Sequence, residues 1–174
     1  MNRNLLFFCL LLIPVLVSAS PTGPHNVYAN NPPNYLNCTQ CHNSYPLNSG
    51  DGSYYLTGLP AEYVPGQAYD ITVNLEDPDQ QKWGFQLAMQ LEDNSQGGSI
   101  VLPDPLLMQN FWLMPGIGVM HTEAGNYAGT FHASPGWEVE WTAPDAGSGT
   151  VTFYGSGNAG NNRSATAGDY IYTL

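Results

Sequence analysis

Along much of this chain, hydrophobic and polar positions alternate with a period of two. Tyr69, Ile71, Val73 and Leu75 alternate with Asp70, Thr72 and Asn74, the pattern of a strand with one buried face. Trp83, Phe85, Leu87, Met89 and Leu91 stand against Gly84, Gln86, Ala88 and Gln90 in the longest such run, whose uncharged amides suit a solvent-facing side. Trp137, Val139 and Trp141 alternate with Glu138 and Glu140, and Val151 with Phe153 and Tyr170 with Tyr172 mark two more strands. Ser53–Thr57 and Ser99–Leu102 are shorter candidates. Turn clusters separate the runs at Val64-Pro65-Gly66, Asp77-Pro78-Asp79, Asn94 to Gly98 and Pro144 to Gly147. No window carries a capped helical period. Roughly seven short strands with frequent turns predict an all-β, immunoglobulin-like antiparallel β-sandwich over residues 51–174, without an inter-sheet disulfide because the cysteines lie elsewhere.

Three stretches fall outside this pattern. Leu102 to His121 is broken by Pro103, Pro105 and Pro115 yet stays apolar through Leu106, Leu107, Met108, Phe111, Trp112 and Met114, so it reads as a long loop covering something hydrophobic. Gly155–Gly168, rich in Gly and Asn, reads as a long loop between the last two strands. Residues 20–50 are rich in Pro, Asn and Tyr and show no period, which predicts an irregular N-terminal segment.

At the start, Asn2-Arg3-Asn4, the apolar run Leu5 to Val17 and Val17-Ser18-Ala19 form the three parts of a secretory signal, with cleavage expected after Ala19. The run is short for a bilayer span and contains Pro14, so a membrane anchor is the lesser reading, and no second run of spanning length follows. Cleavage removes Arg3 and Cys9. It leaves Cys38 and Cys41 as the only cysteines and Lys82 and Arg163 as the only basic residues, in an exported, periplasmic or extracellular bacterial protein.

Charge narrows the functions further. The 174 residues carry 14 acidic and 3 basic side chains, a formal net charge of -11. Such a chain has no cationic face with which to neutralise phosphates, which excludes nucleic acid, and an anionic membrane surface would repel it. At 43% hydrophobic residues it is too apolar to be disordered. A partner protein would therefore present a basic docking face.

The sharpest motif is Cys38-Thr39-Gln40-Cys41-His42, the C-x-x-C-H spacing of c-type haem attachment. Two thiols three positions apart on one turn can each add to a vinyl group on one edge of the porphyrin, and the imidazole of the next residue then reaches the iron. The motif predicts one covalently attached haem c, held by Cys38 and Cys41, with His42 as the proximal ligand. Two other readings remain. A Cys38–Cys41 redox dithiol would be expected beside a βαβ pattern, which is absent, and a zinc site would need further ligands at short spacing. The second axial position draws on His121, His25, His132, Met108, Met114 and Met120, or stays open. His121 leads because it follows the apolar loop that could wall a haem and because Thr122 and Glu123 could orient its ring. His25, closest in sequence to the motif, is the runner-up. Asp77-Pro78-Asp79 and Asp93-Asn94 are weak candidates for calcium, and no G-x-S-x-G, H-E-x-x-H or phosphate-binding element occurs.

The order Pro21-Thr22-Gly23-Pro24, Cys38-x-x-Cys41-His42, Leu56-Thr57-Gly58-Leu59-Pro60, Tyr63-Val64-Pro65-Gly66-Gln67, Trp83-Gly84-Phe85-Gln86-Leu87, His121-Thr122, Trp141-Thr142-Ala143-Pro144, Val151-Thr152-Phe153-Tyr154, Gly157-Asn158-Ala159 and Gly168-Asp169-Tyr170-Ile171-Tyr172 resembles the bacterial exported family called choice-of-anchor V, itself related to the Reeler domain. The resemblance covers nearly the whole chain after residue 19. It implies a Reeler-like sandwich outside the cytoplasm, with a haem-attachment motif at its N-terminal edge and a recurrent His-Thr at His121. The chain departs from the family by ending at Leu174 without a sorting tail, and by carrying Pro24-His25 where small residues are usual.

These readings give a monohaem c-type cytochrome that passes electrons to a partner, and not an enzyme. A Reeler-like adhesion or matrix module, in which haem or a disulfide staples the N-terminal segment, is the alternative. A peroxidase with an open iron position comes third. Association into homo-oligomers or filaments through strand edges or haem stacking is compatible with either of the first two.

Overall fold

The computed structural model describes residues 20–24, 26–113 and 116–174, so the signal expected at 1–19, His25 and Met114 lie outside the described residues. These contain β1 (Ser53–Thr57), β2 (Ala68–Glu76), β3 (Lys82–Gln90), β4 (Ser99–Val101), β5 (Met108–Trp112), β6 (Ile117–His121), β7 (Trp137–Thr142), β8 (Thr152–Gly160) and β9 (Tyr170–Thr173). Two antiparallel sheets face each other, one in the order β1-β2-β7-β4 and the other β5-β6-β3-β8-β9. The chain is an all-β sandwich, as the alternation predicts.

The predicted inner faces fill the space between the sheets. Ile71, Val73 and Leu75 of β2 and Trp137, Val139 and Trp141 of β7 meet Trp83, Phe85, Leu87 and Met89 of β3 in one buried cluster. Each large indole also finds an acceptor for its N–H: Trp83 donates to the Thr130 carbonyl at 2.8 Å, Trp137 to Gly125 at 2.9 Å and Trp141 to Gly97 at 2.8 Å. The core is thereby tied to three connections as well as packed.

Three expectations fail, each for a packing reason. Leu102 to His121 is no covering loop: β5 and β6 pair from Met108↔His121 to Trp112↔Ile117 and form one edge of the five-stranded sheet. Part of each face is covered, Met108 and Val119 entering the main core while Phe111 and Leu113 pack outside the sheet, and Leu106 and Trp112 stay exposed. Gly155 to Gly160 belongs to β8, paired with β3 along its length from Gln90↔Thr152 to Lys82↔Gly160. A Cβ on Gly155 would collide with the Tyr54 ring, and one on Gly157 would lie 2.9 Å from Leu75 Cδ1. Those small residues admit the opposite sheet, and the loop proper is only 161–169.

The third failure matters most for function. Gln86 and Gln90 do not face solvent; they are 0% and 2% exposed. The irregular segment lies across them. Tyr28 N–H donates to Gln86 Oε1 at 2.6 Å, Gln86 Nε2 donates to the Asn26 carbonyl at 3.0 Å, and Asn31 Nδ2 donates to Gln90 Oε1 at 3.3 Å. Beneath this cover Ala29, Ala88, Phe111 and Leu113 form a second, smaller core. Further along, Cys38 N–H donates to Ser156 Oγ at 3.1 Å, and Asn48 grips the edge of β9 through its N–H to the Ile171 carbonyl (2.9 Å) and its Oδ1 to the Thr173 N–H (2.9 Å).

Replacing Gln86→Leu keeps volume but removes the bonds to the half-buried Tyr28 N–H and to the Asn26 carbonyl, a cost of about 1 kcal/mol. The expected result is faster limited proteolysis within residues 26–36 while the sandwich keeps its near-ultraviolet tryptophan signal. Equal proteolysis rates in both proteins would show that these bonds do not hold the segment.

Candidate functional site

The segment delivers the C-x-x-C-H motif to one end of the five-stranded sheet. Asn37 begins the turn: its Oδ1 accepts from Thr39 N–H at 3.0 Å, and Cys38–Gln40 make a single 3-10 turn closed by His42 N–H on the Cys38 carbonyl at 3.0 Å. This turn brings the two thiols and the following imidazole together. Both cysteines are free thiols. Burial pushes the Cys38 thiol up to about 11, the opposite of the lowered thiol on which a thioredoxin-like dithiol depends.

A cavity of about 470 Å³ opens beside the motif. Cys38, Cys41 and His42 line it from the segment, Trp83, Gly84, Phe85 and Gln86 from β3, and His121 from the end of β6. Three of the expected site residues and the leading candidate for the fourth thus share one cavity, in the size range of cofactor sites at about 300–1000 Å³. The Leu102 to Trp112 stretch does not wall it. The segment, the outer face of β3 and residues 162–165 do.

His121 is 8% exposed and its position follows from strand pairing. β6 pairs with β3 only at Gln86↔Met120 and Leu87↔Val119, and where the ladder ends the imidazole takes its place: Phe85 N–H lies 3.0 Å and the Phe85 carbonyl 3.3 Å from Nδ1. Backbone therefore orients this ring, not Thr122 and Glu123 as expected. The Thr122 hydroxyl bonds to the Leu106 carbonyl instead, and Glu123 is exposed. Desolvation holds the His121 imidazole down to about 4, so it stays neutral and keeps a lone pair at ordinary pH. With Phe85 N–H donating to Nδ1, the neutral ring carries its hydrogen on Nε2; ligation through Nε2 would need that hydrogen on Nδ1, where the Phe85 carbonyl at 3.3 Å could accept it.

His42 is held differently. Its Nδ1 lies 2.7 Å from Asp169 Oδ2, and the other carboxylate oxygen accepts from Asn161 N–H at 3.1 Å. A hydrogen on Nδ1 facing the carboxylate leaves Nε2 with the lone pair, the tautomer a metal ligand needs. Asp169 was given no role in the sequence; the signal was its place in the Gly168-Asp169-Tyr170-Ile171-Tyr172 motif before the closing strand.

The other candidates do not converge here. His132 is exposed, with Nδ1 on the Pro78 carbonyl at 2.6 Å. Met108 points into the sandwich core, and the Met120 sulfur sits against Gln86 Nε2 at 3.7 Å. Among the described residues no three His, Cys, Asp or Glu side chains form a metal-holding cluster. The suggested calcium turns use their carboxylates internally, Asp77 for the Tyr172 hydroxyl and Asp79 N–H, Asp93 for Ser95.

Gly84 is where the fit can be tested without a cofactor. A Cβ there would lie 2.8 Å from His121 Cε1 and 3.1 Å from Nε2. Gly84→Ala is expected to cost about 1–2 kcal/mol through overpacking. With His121→Ala already present it is expected to be neutral or stabilising, since alanine suits a strand better than glycine by about 0.5–1 kcal/mol. A double-mutant cycle by denaturant unfolding measures the difference. An equal cost in both backgrounds would mean the ring does not rest on Gly84.

Neither a family model nor a curated protein matches the chain, so its resemblance to choice-of-anchor V rests on motifs alone. Solved structures to which it is similar include the Reelin-N domain of F-spondin, at 22% identity and a TM-score of 0.47, over 77% of this chain and 86% of that one. They also include two fragments of the human F-spondin reeler domain. One is 23% identical with a TM-score of 0.44 over 68% and 83% of the two chains, and the other 21% with 0.45 over 73% and 83%.

Proposed function

We propose that this chain is an exported β-sandwich module that carries one covalently attached haem beneath its N-terminal segment and passes electrons through it. The observation that carries the reading is the convergence of Cys38, Cys41, His42 and His121 on one cavity, although 79 positions separate the two histidines. A haem bound there would supply one-electron chemistry at its iron. Cys38 and Cys41 would anchor the group, His42 offers an Nε2 lone pair, and His121 would offer one once its hydrogen moves to Nδ1. Lys82, one of two cations after residue 19, lines the same cavity with Asn26, Asn162 and Ser164 and would balance the group's carboxylates.

In a second reading the sandwich is the functional part, an extracellular adhesion or matrix module, and the haem or a Cys38–Cys41 disulfide only staples the segment. Its support is that the segment already spans the sheet from β3 to β9, where a haem also bound by His121 would lock it and a disulfide would stiffen its turn. The readings separate by redox behaviour: rapid reoxidation by a second protein after reduction supports the carrier, a redox-silent haem the staple.

Protein from a host with haem-attachment machinery is expected to give one haem per chain in the pyridine haemochrome assay, and none with Cys38→Ser and Cys41→Ser. His121→Ala should keep the covalent haem, turn high-spin and bind carbon monoxide. A low-spin spectrum unchanged by His121→Ala but lost in His25→Ala would move the second ligand to the N-terminal segment.

Electron exchange with a basic redox partner is expected to slow as salt is raised from 10 to 200 mM or so, by about tenfold or more, because opposite charge accelerates encounter and screening removes that gain. A rate independent of salt would remove charge from the account of partner choice.

A further inference from the structure

Resting on the haem reading, we infer that Asp169 is a positioning residue that fixes the tautomer of His42 and lowers the reduction potential of the site. The geometry is specific. The Asp169 side chain is 3% exposed, 2.7 Å from His42 Nδ1, and held on its far side by Asn161 N–H at the start of the 161–169 loop. Asn158 lies against the same ring, its Nδ2 3.2 Å from Nδ1 and 3.4 Å from Nε2. An amide N–H can only donate, so with Asp169 present Nδ1 gives its hydrogen to the carboxylate. Without Asp169, Asn158 is free to donate to Nδ1 and the hydrogen moves to Nε2, which blocks ligation.

The second consequence is electronic. A buried carboxylate accepting the Nδ1 hydrogen shifts electron density onto the imidazole, and a more basic imidazole favours the oxidised metal. His121 has only the Phe85 backbone in the equivalent place, the N–H at 3.0 Å and the carbonyl at 3.3 Å from Nδ1. One ligand is thus supported by an anion and the other by a neutral dipole. Position 169 then adjusts the potential without touching the ring system.

Two measurements test this. In the haem-free chain, long-range nitrogen–proton correlation spectra should show His42 as the Nδ1–H tautomer, and mostly Nε2–H in Asp169→Ala; an unchanged tautomer would overturn the positioning role. In the haem-loaded protein, Asp169→Asn should raise the midpoint potential while keeping covalent haem and a low-spin spectrum, and Asp169→Glu should restore a potential near the original. An unchanged potential in Asp169→Asn would overturn the tuning role and leave Asp169 as a loop tie. If Asp169→Asn takes up no haem, the tautomer measurement decides alone. Absence of covalent haem from the unaltered chain would instead sink the haem reading, an outcome the haem-free spectra do not depend on.

Discussion

The arrangement depends on a row of buried polar contacts on the outer face of the five-stranded sheet. Gln86, Gln90 and Ser156 are almost fully buried and hydrogen-bond to the irregular segment that covers them. A buried amide without a partner costs about as much as a lost hydrogen bond, so these side chains accept only a cover whose backbone groups match theirs. They set the register of the segment on the sheet, and that register puts Cys38 over β8 and His42 beside Asp169. An apolar outer face would have covered itself as well, but without fixing which residue lands where.

Much of the sandwich was legible because one face of each long strand is apolar and the other is not. The same rule misled where the second face is also covered. Gln86 and Gln90 look like solvent-facing residues, and nothing in an alternating pattern distinguishes an amide facing water from one facing another backbone. Phe111 and Val119 made a two-faced hairpin look like a loop, and the glycines of β8 looked like a turn although they are the space into which Tyr54 and Leu75 fit. The motif at Cys38–His42 was legible from spacing, because its chemistry is local. Asp169 was not, because its role exists only through a contact across 127 positions.

Two histidines meet one cavity by unlike routes. His42 arrives on an irregular segment and is fixed by an anion, whereas His121 ends a strand and replaces a missing ladder bond to Phe85. The second is rigid because the sheet is rigid, and the absence of a side chain at Gly84 leaves the ring its place. The first can be adjusted, since its support comes from the 161–169 loop. Rigid and adjustable supports thus lie on opposite sides of the cavity.

The cover comes from the beginning of the chain and its seat from the end. Cys38 rests on Ser156 and Asn48 on Ile171 and Thr173, so this part of the segment finds its seat only once β8 and β9 have formed. In synthesis from the N-terminus the two thiols therefore emerge early and one of them is seated late. That interval is a time window in biosynthesis: while it lasts, any enzyme that modifies the thiols has an unstructured peptide to grip. The burial that raises the Cys38 thiol to about 11 closes the window afterwards.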